Sequence, residues 1–317
     1  MITASIIIAL ILLFYLLGRA ADLTIHHIRL VAERLGIKIF FLGVLLGLFT
    51  SLPEIAISIN SAIDDVMPIA VGNLLGGIVV LFSLILGLSA ILNRKIVATE
   101  KIFSLFLIFL YILLPLFFSL DHSLGFLEGL VLVLLYFCLL FYLYWQHRSQ
   151  ATSGGIVIRQ RQVLLDVFLV IFGLTLILLL SNIIIRLTQV LLSQWTISPF
   201  IVGLLLFSLG TNLPEIIVTF RSWRQQIKDL SLSNLLGSGM ANPLILGILA
   251  FSRPLTITAD FSFYLLLFFV LAIFALILVF YRTGRRLTQN EGVVLVVAYI
   301  LFITSQAILL ILSAINL

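Results

Sequence analysis

The chain has 317 residues, of which 62% are hydrophobic and 10% are charged, and its mean hydropathy is +1.31. Apolar runs therefore occupy far more of the chain than a water-soluble core needs, which indicates a polytopic membrane protein. In such a chain a net charge of +5 does not indicate a nucleic-acid partner, and the single cysteine, Cys138, excludes disulfides and thiolate metal sites.

Five apolar segments lie in the first half of the chain. The first is long for a simple span, because its pattern continues past Leu17 to Leu35, which suggests a tilted helix. The opening residues, MITASIII, have no basic region and no cleavage site follows, so we do not expect a secretory signal. The predicted segments are Ile2–Leu17, Ile39–Ile63, Pro68–Leu92, Ile102–Leu120 and Leu124–Trp145.

A polar linker at residues 147–162, with Ser153, Gly154 and Gly155 at its centre, separates the two halves of the chain. The second half repeats the plan, and we expect ten transmembrane helices in an all-α fold. The two five-helix repeats would occupy residues 1–146 and 163–317. The second set of segments is Val163–Trp195, Phe200–Trp223, Leu230–Phe251, Phe261–Tyr281 and Val293–Ile315.

The basic residues predict the orientation of these helices. If the N-terminus is outside, the inner loops contain all the lysines and arginines except Arg186 and Arg253, which is the bias expected of cytoplasmic loops. We therefore expect a multi-pass protein of the plasma membrane with both termini outside. Because five is an odd number, the second repeat enters the membrane upside down relative to the first, and the repeats are inverted.

Two motifs occur twice at one spacing. TSLPE at residues 50–54 returns as TNLPE at 211–215, and NLLG at 73–76 returns as NLLG at 234–237, each 161 positions later. Each first motif places a proline and a glutamate inside an apolar segment, where an ionised side chain costs roughly 2.5 to 3.5 kcal/mol or more. Inverted repeats with interrupted helices are the layout in which two half-helices build one ion site near the midplane.

The residue types of the first motif suit a hard cation. Pro53 and Pro214 bend the helix and leave carbonyls at or near Phe49 and Gly210 without partners, and a cation can satisfy such groups. All the nearby donors are oxygens, which suit Ca2+ and Na+ better than zinc or copper. The first polar stripe comprises Gly47, Ser51, Glu54, Ser58 and Ser61 or Ala62, and the second comprises Ser208, Asn212, Glu215, Thr219 and Ser222.

These motifs resemble the alpha repeats of the cation/calcium exchanger superfamily, here residues 47–87 and 208–248, and the layout is similar to prokaryotic sodium/calcium exchangers. The resemblance implies that inward Na+ movement drives Ca2+ out, with the first and sixth helices sliding across a fixed core. It implies that Glu54 and Glu215 are the central cation ligands. Its implied contributors also include Thr50 and Thr211 through their carbonyls, and Ser51 and Ser238 through oxygens of flanking sites.

The chain also departs from the pattern of the superfamily. Gly77 and Leu81 stand where the first repeat usually has serine and asparagine, Asn212 replaces a serine, and Asn242 stands where an acid is common. The third segment therefore supplies almost no side-chain oxygen. The eighth segment keeps Ser231, Asn234, Ser238 and Asn242 along one face.

We expect a secondary active antiporter that exchanges Ca2+ for Na+ without a cofactor, is not an enzyme and functions as a monomer in the lipid bilayer. One alternative keeps the fold and couples to H+ or K+. Another, suggested by Gly77, Leu81 and Asn242, is an ion-binding or sensing protein without transport. An intramembrane hydrolase using the paired glutamates is disfavoured, because no histidine lies near the motifs.

Overall fold

The computed structural model describes residues 2–34, 48–97, 101–146, 160–194, 197–213, 215–216, 219, 232–257, 260–284 and 286–315, and most of these are helical. Eight helical segments among them are long and apolar enough to cross a membrane, by length and composition. Two shorter apolar helices, Leu52–Ile63 and Pro199–Thr211, contain or adjoin the repeated motifs. The described chain is therefore a helical membrane protein.

In the first half the third, fourth and fifth segments begin and end within two residues of the predicted boundaries. The first helix continues to Arg34, as the pattern past Leu17 suggests, and the predicted start of the second segment at Ile39 lies outside the described residues. The third segment is one continuous helical span, since the helix Met67–Val79 passes into the helix Leu86–Asn93 through a π-helical stretch at Val80–Ile85. Most of the predicted linker, residues 147–159, lies outside the described residues. The helices are α1 (Ile2–Arg34), α2 (Leu52–Ile63), α3 (Met67–Val79), α4 (Leu86–Asn93), α5 (Ile102–Phe118) and α6 (Phe126–Gln146).

The described part of the second half also consists of helices with two short strands between them. Its first helix begins at Gln160, three residues before the predicted start at Val163. The seventh segment contains a π-helical stretch, Gly203–Phe207, between two short helices. The helices are α7 (Gln160–Gln194), α8 (Pro199–Val202), α9 (Ser208–Thr211), α10 (Leu232–Ser252), α11 (Phe261–Gly284) and α12 (Gln289–Ile315).

The two longest helices, α1 and α7, pack along each other and contribute most of a smaller hydrophobic cluster. Gly173 allows this close approach, because a Cβ atom there would lie 2.1 Å from the Thr24 hydroxyl. The His27 Nδ1 atom lies 2.9 Å from Asp166 Oδ1 and joins the helices again. The place of Asp166 near a segment end predicts a side chain that reaches the interface, but this is wrong, since Asp166 is buried against α1.

Two small antiparallel sheets link the halves of the chain. Strand β1 (Lys95–Val97), which follows α4, pairs with β4 (Arg286–Thr288), which precedes α12. Strand β2 (Ser123–Leu124), between α5 and α6, pairs with β3 (Leu255–Thr256), between α10 and α11. Each sheet therefore combines one loop from the first half with one from the second.

Glycines allow two close helix crossings between the halves. A Cβ atom at Gly87 in α4 would lie 2.8 Å from the carbonyl oxygen of Gly292 in α12. A Cβ atom at Gly129 in α6 would lie 2.7 Å from the carbonyl oxygen of Gly247 in α10. Small residues at such contacts let helix backbones approach closely in a membrane. These crossings pack the outer helices against α3, α4 and α10, around the larger hydrophobic cluster.

Candidate functional site

The first motif breaks its helix at Ser51. Residues 48–50 are helical, but Ser51 has φ −87° and ψ 15°, and α2 starts at the next residue. The Ser51 N–H donates to the Leu48 carbonyl at 3.2 Å, and the Ile55 N–H donates to the Ser51 carbonyl at 3.0 Å. Pro53 fits the first turn of α2 because its missing N–H would have no helical partner there.

The second motif breaks its helix at the equivalent residue, Asn212. Helix α9 ends at Thr211, and Asn212 has φ −90° and ψ 8°. The Ile216 N–H donates to the Asn212 carbonyl at 3.2 Å, as Ile55 does to Ser51. The Asn212 N–H points to the Gly210 carbonyl, so the expectation that this carbonyl has no partner is wrong. Pro214 and Ser222 lie outside the described residues, as does Gly47 in the first motif.

The two motif glutamates are buried beside these breaks. Glu54 is 4% exposed and Glu215 is 8% exposed. The two carboxyl groups are close enough for their charges to interact. Within the described chain, the Oε2 atoms of both residues are buried and have no hydrogen-bond partner. Two buried carboxylate oxygens without partners are expensive unless a cation or a proton joins them.

Hydroxyl and amide groups flank the carboxylates. The Thr50 hydroxyl, at the first break, lies 2.8 Å from the Ser238 hydroxyl on α10. The Thr211 hydroxyl, at the second break, donates to the Asn73 side-chain oxygen on α3 at 3.1 Å, and it also interacts with Glu54. Each break is therefore tied to the NLLG helix of the opposite repeat.

Two buried asparagines complete the described centre, and their amide nitrogens face carbonyls. Asn212 donates to the Ser208 carbonyl at 2.8 Å, and Asn242 donates to the Leu74 carbonyl at 2.8 Å. Both amide nitrogens lie beside Gly77 on α3. Asn242 thus connects α10 to the helix of the first repeat. Asn234 and Ser231 were predicted to lie on the same face of the eighth segment as Asn242. The side chain of Asn234 is not described, and Ser231 lies outside the described residues.

The polar stripes differ beyond the glutamates. Ser58 and Ser61, one and two turns after Glu54, are buried and have no hydrogen-bond partner within the described chain. In the second repeat the Thr219 hydroxyl instead donates to the Glu215 carbonyl at 2.8 Å. The first stripe therefore has two buried hydroxyls without a described partner, whereas the described threonine of the second stripe bonds its own helix backbone.

Asn60 and Asn73 join the motif segments to other helices, and neither was among the predicted site residues. Asn60 on α2 donates to the Ser181 hydroxyl at 2.5 Å and accepts from the Asn182 amide at 3.0 Å, so it fastens the motif helix to α7. Asn73 accepts from Thr211, and its amide nitrogen is buried and has no described partner. The repetition of NLLG was a usable signal for Asn73, but no repeated signal marks Asn60, because Arg221 stands at the equivalent position.

The chain as a whole matches the family model described as "Sodium/calcium exchanger protein" over residues 5–145 and 165–308. These two stretches cover most of both halves and leave out the linker. The chain belongs to this family. Members of the family are membrane transporters of cations.

Relatives of this family member agree with the assignment. The sodium/calcium exchanger MaX1 of Methanosarcina acetivorans is 25% identical over 349 residues, covering 96% of this chain and 98% of the relative. The solved sodium-calcium exchanger NCX_Mj matches 96% of this chain and 99% of its own, with a TM-score of 0.66 and 21% identity. The H+/Ca2+ exchanger CAX matches 96% of this chain and 86% of its own, with a TM-score of 0.73 and 19% identity. This family member shares the fold of both structures.

Proposed function

We propose that this exchanger-family protein is a secondary active antiporter that moves Ca2+ out of the cell in exchange for Na+. The observation that carries the proposal is the pair of buried carboxylates, Glu54 and Glu215, one from each copy of the motif, whose Oε2 atoms have no described partner. Two carboxylates balance the charge of one divalent cation. Their oxygens are also ligands that Ca2+ and Na+ prefer.

The proposed cation ligands are the side-chain and backbone oxygens at the two breaks. In this proposal Glu54 and Glu215 provide charge, and Thr50, Thr211 and Ser51 add neutral oxygens. Half-helix ends that meet near the midplane present carbonyl oxygens suited to a cation. The other proposed contributors are Ser238 through its hydroxyl and the two asparagines, Asn212 and Asn242, through their side-chain oxygens. Their amide nitrogens cannot bind a cation and instead donate to neighbouring carbonyls.

We further propose ten membrane helices in two inverted repeats, residues 1–146 and 163–317, joined by the linker at 147–162. Three pairs of contacts support this arrangement because each joins elements that follow in the same order in the two halves. The β1–β4 sheet corresponds to the β3–β2 sheet, and the Gly87–Gly292 crossing to the Gly247–Gly129 crossing. The Ser104–Gln146 hydrogen bond, between α5 and α6, corresponds to that of Ser262 and Gln306 between α11 and α12.

In this scheme α1 and α7 move together across the remaining helices and open the site to each side in turn. They pack chiefly against each other, which favours motion as one unit. The hydrogen bonds of Asn60 to Ser181 and Asn182 must then break during each cycle. The protein works in the plasma membrane with both termini outside.

The coupling ion has one specific alternative. H+ can replace Na+ because a carboxylate without a partner is satisfied equally by a proton, and the fold is shared with an H+/Ca2+ exchanger. The exchange of Ca2+ is common to both versions. Only the ion that returns differs.

Flux in proteoliposomes tests the proposal. Purified protein is reconstituted, and 45Ca2+ uptake is measured with an outward Na+ gradient, with a pH gradient and with both in the presence of a protonophore. We expect uptake that requires the Na+ gradient and is unchanged by the protonophore. Uptake that follows the pH gradient alone would replace Na+ by H+, and the absence of Ca2+ flux under every gradient would contradict the proposal.

A further inference from the structure

The two sides of the site offer opposite chemistry to a cation. Ser238 on α10 and Gly77 on α3 occupy equivalent positions of the two repeats, 161 residues apart. The Ser238 hydroxyl oxygen lies 2.8 Å from the Thr50 hydroxyl, so that side presents two oxygens with lone pairs. On the other side Gly77 has no side chain.

Amide nitrogens fill the space beside Gly77. A Cβ atom at this glycine would lie 3.1 Å from Asn242 Nδ2 and 3.5 Å from Asn212 Nδ2. The orientation of both amides is fixed, because each nitrogen donates to a carbonyl oxygen, that of Leu74 or that of Ser208. The NH2 group of an amide only donates hydrogen bonds, and its hydrogens bear partial positive charge, so it repels a cation. Turning either amide would leave a buried donor and acceptor unpaired.

The π-helical stretch that follows α3 reinforces the asymmetry. Leu81 is equivalent to Asn242, and it is 2% exposed and belongs to the larger hydrophobic cluster. The first repeat thus contributes neither a hydroxyl nor an amide oxygen at these two positions. A cation held beside Gly77 would have to be desolvated against apolar groups and N–H donors, which is unfavourable.

The charge of the site then limits the number of bound cations. Glu54 and Glu215 supply two negative charges, and a further cation in low dielectric would be uncompensated. Asp22 on α1 also interacts electrostatically with Glu215. Asp22 is only half-buried and makes a further interaction, so we do not include its charge in the charge of the site.

We propose that the Gly77 side of the site holds no cation, so that the protein exchanges one divalent cation for two monovalent cations with no net movement of charge. This inference rests on the proposed function and adds its stoichiometry. The side-chain NH2 groups of Asn212 and Asn242, which bear partial positive charge, take the place of a third monovalent cation. The wild-type protein should therefore transport Ca2+ at a rate and to a final level that do not depend on membrane potential.

The test measures the final 45Ca2+ ratio in proteoliposomes at a fixed Na+ gradient, with the potential set by K+ and valinomycin. We expect no change between 0 and 100 mV for the wild type. If one net charge moved per cycle, 100 mV would shift the ratio about 50-fold, and that result would overturn the inference while leaving Ca2+/Na+ exchange intact. Absence of any coupled flux would overturn the proposed function and this stoichiometry together.

A pair of variants tests the residues assigned to this effect. The double variant Gly77→Ser with Asn242→Asp adds a hydroxyl and a third carboxylate to the empty side. We expect it to bind one more monovalent cation and to show the roughly 50-fold shift per 100 mV. Gly77→Ser alone is the matched control, which adds no charge and should stay insensitive. A double variant that folds and transports but ignores the potential would contradict the role of these residues.

Discussion

The two copies of the motif have the same backbone but different surroundings. At Ser51 and at Asn212 the helix breaks with nearly the same dihedral angles, and the residue four positions later donates to the carbonyl at the break. The helices that pack against the breaks have diverged, since α10 presents Ser238 where α3 presents Gly77. The break and its carboxylate are therefore common to both motifs, and the side chains of the neighbouring helices are not. In the proposed function this difference sets which cations fit and how many.

The largest expected effect comes from removing either carboxylate. Glu54→Gln and Glu215→Gln should each reduce Ca2+ flux at least about 100-fold, because one remaining charge cannot balance a desolvated divalent cation. Flux and thermal melting in detergent are measured together. Glu128→Gln is the control, since Glu128 accepts from the Gly125 N–H at the start of α6 and should leave flux unchanged. Full Ca2+ exchange in either site variant would show that the two copies are not equivalent.

A smaller effect is expected when the second repeat is made to resemble the first. Ser238→Gly removes the hydroxyl beside Thr50. Because one such hydrogen-bonding group contributes about 1 kcal/mol, its loss should weaken the apparent affinity for Ca2+ and Na+ roughly 5- to 10-fold. Affinity is taken from the concentration dependence of flux. Ser305→Ala serves as the control, since its hydroxyl donates to the Phe302 carbonyl of its own helix, away from the motifs in the sequence. An unchanged affinity in Ser238→Gly would place this hydroxyl outside the site.

The glycine crossings test the equivalence of the scaffold rather than that of the site. Gly87→Ala and Gly129→Ala would each place a Cβ atom against a carbonyl oxygen of the facing helix, at 2.8 and 2.7 Å. Overpacking of this kind typically costs about 1 to 3 kcal/mol, so both variants should melt at lower temperature by similar amounts. A large loss in one variant and none in the other would show that the two crossings are not equivalent.

The smallest effect concerns the paired serine–glutamine contacts. Ser104→Ala and Ser262→Ala each remove one interhelical hydrogen bond, which is worth about 0.6 kcal/mol in a membrane protein. Double-mutant cycles with Gln146→Ala and Gln306→Ala, followed by thermal melting, isolate each pair. Coupling energies of the same sign and similar size would support the equivalence of the halves, and coupling in only one pair would weaken it.

Much of the helical order was predictable from the sequence because apolar length and a repeated motif are local signals. Helix α3 begins at Met67 and α11 at Phe261, within a residue of the predicted starts at Pro68 and Phe261. The π-helical stretches were not predicted, because a π turn depends on packing around it. The burial of Asp166 was missed for a related reason: His27, its partner, lies 139 positions away.

The place of the two acids in the candidate site could be predicted from the sequence, whereas the orientation of the amides could not. Glu54 and Glu215 are expensive at membrane depth wherever they point, so their sequence context alone marked them. The meaning of Gly77, in contrast, depends on which atoms occupy the space that its missing side chain leaves. Only the structure places the nitrogens of Asn212 and Asn242 there.

The most direct measurement is the position of a bound divalent cation. Crystals soaked in Sr2+ or Ca2+ should show density between the two motif breaks, within about 2.3 to 2.6 Å of oxygens from both Glu54 and Glu215. The Glu54→Gln variant, soaked in the same way, should lose this density. Density at one glutamate only, or carboxyl groups too far apart to share an ion, would contradict a single site built from both halves of the chain.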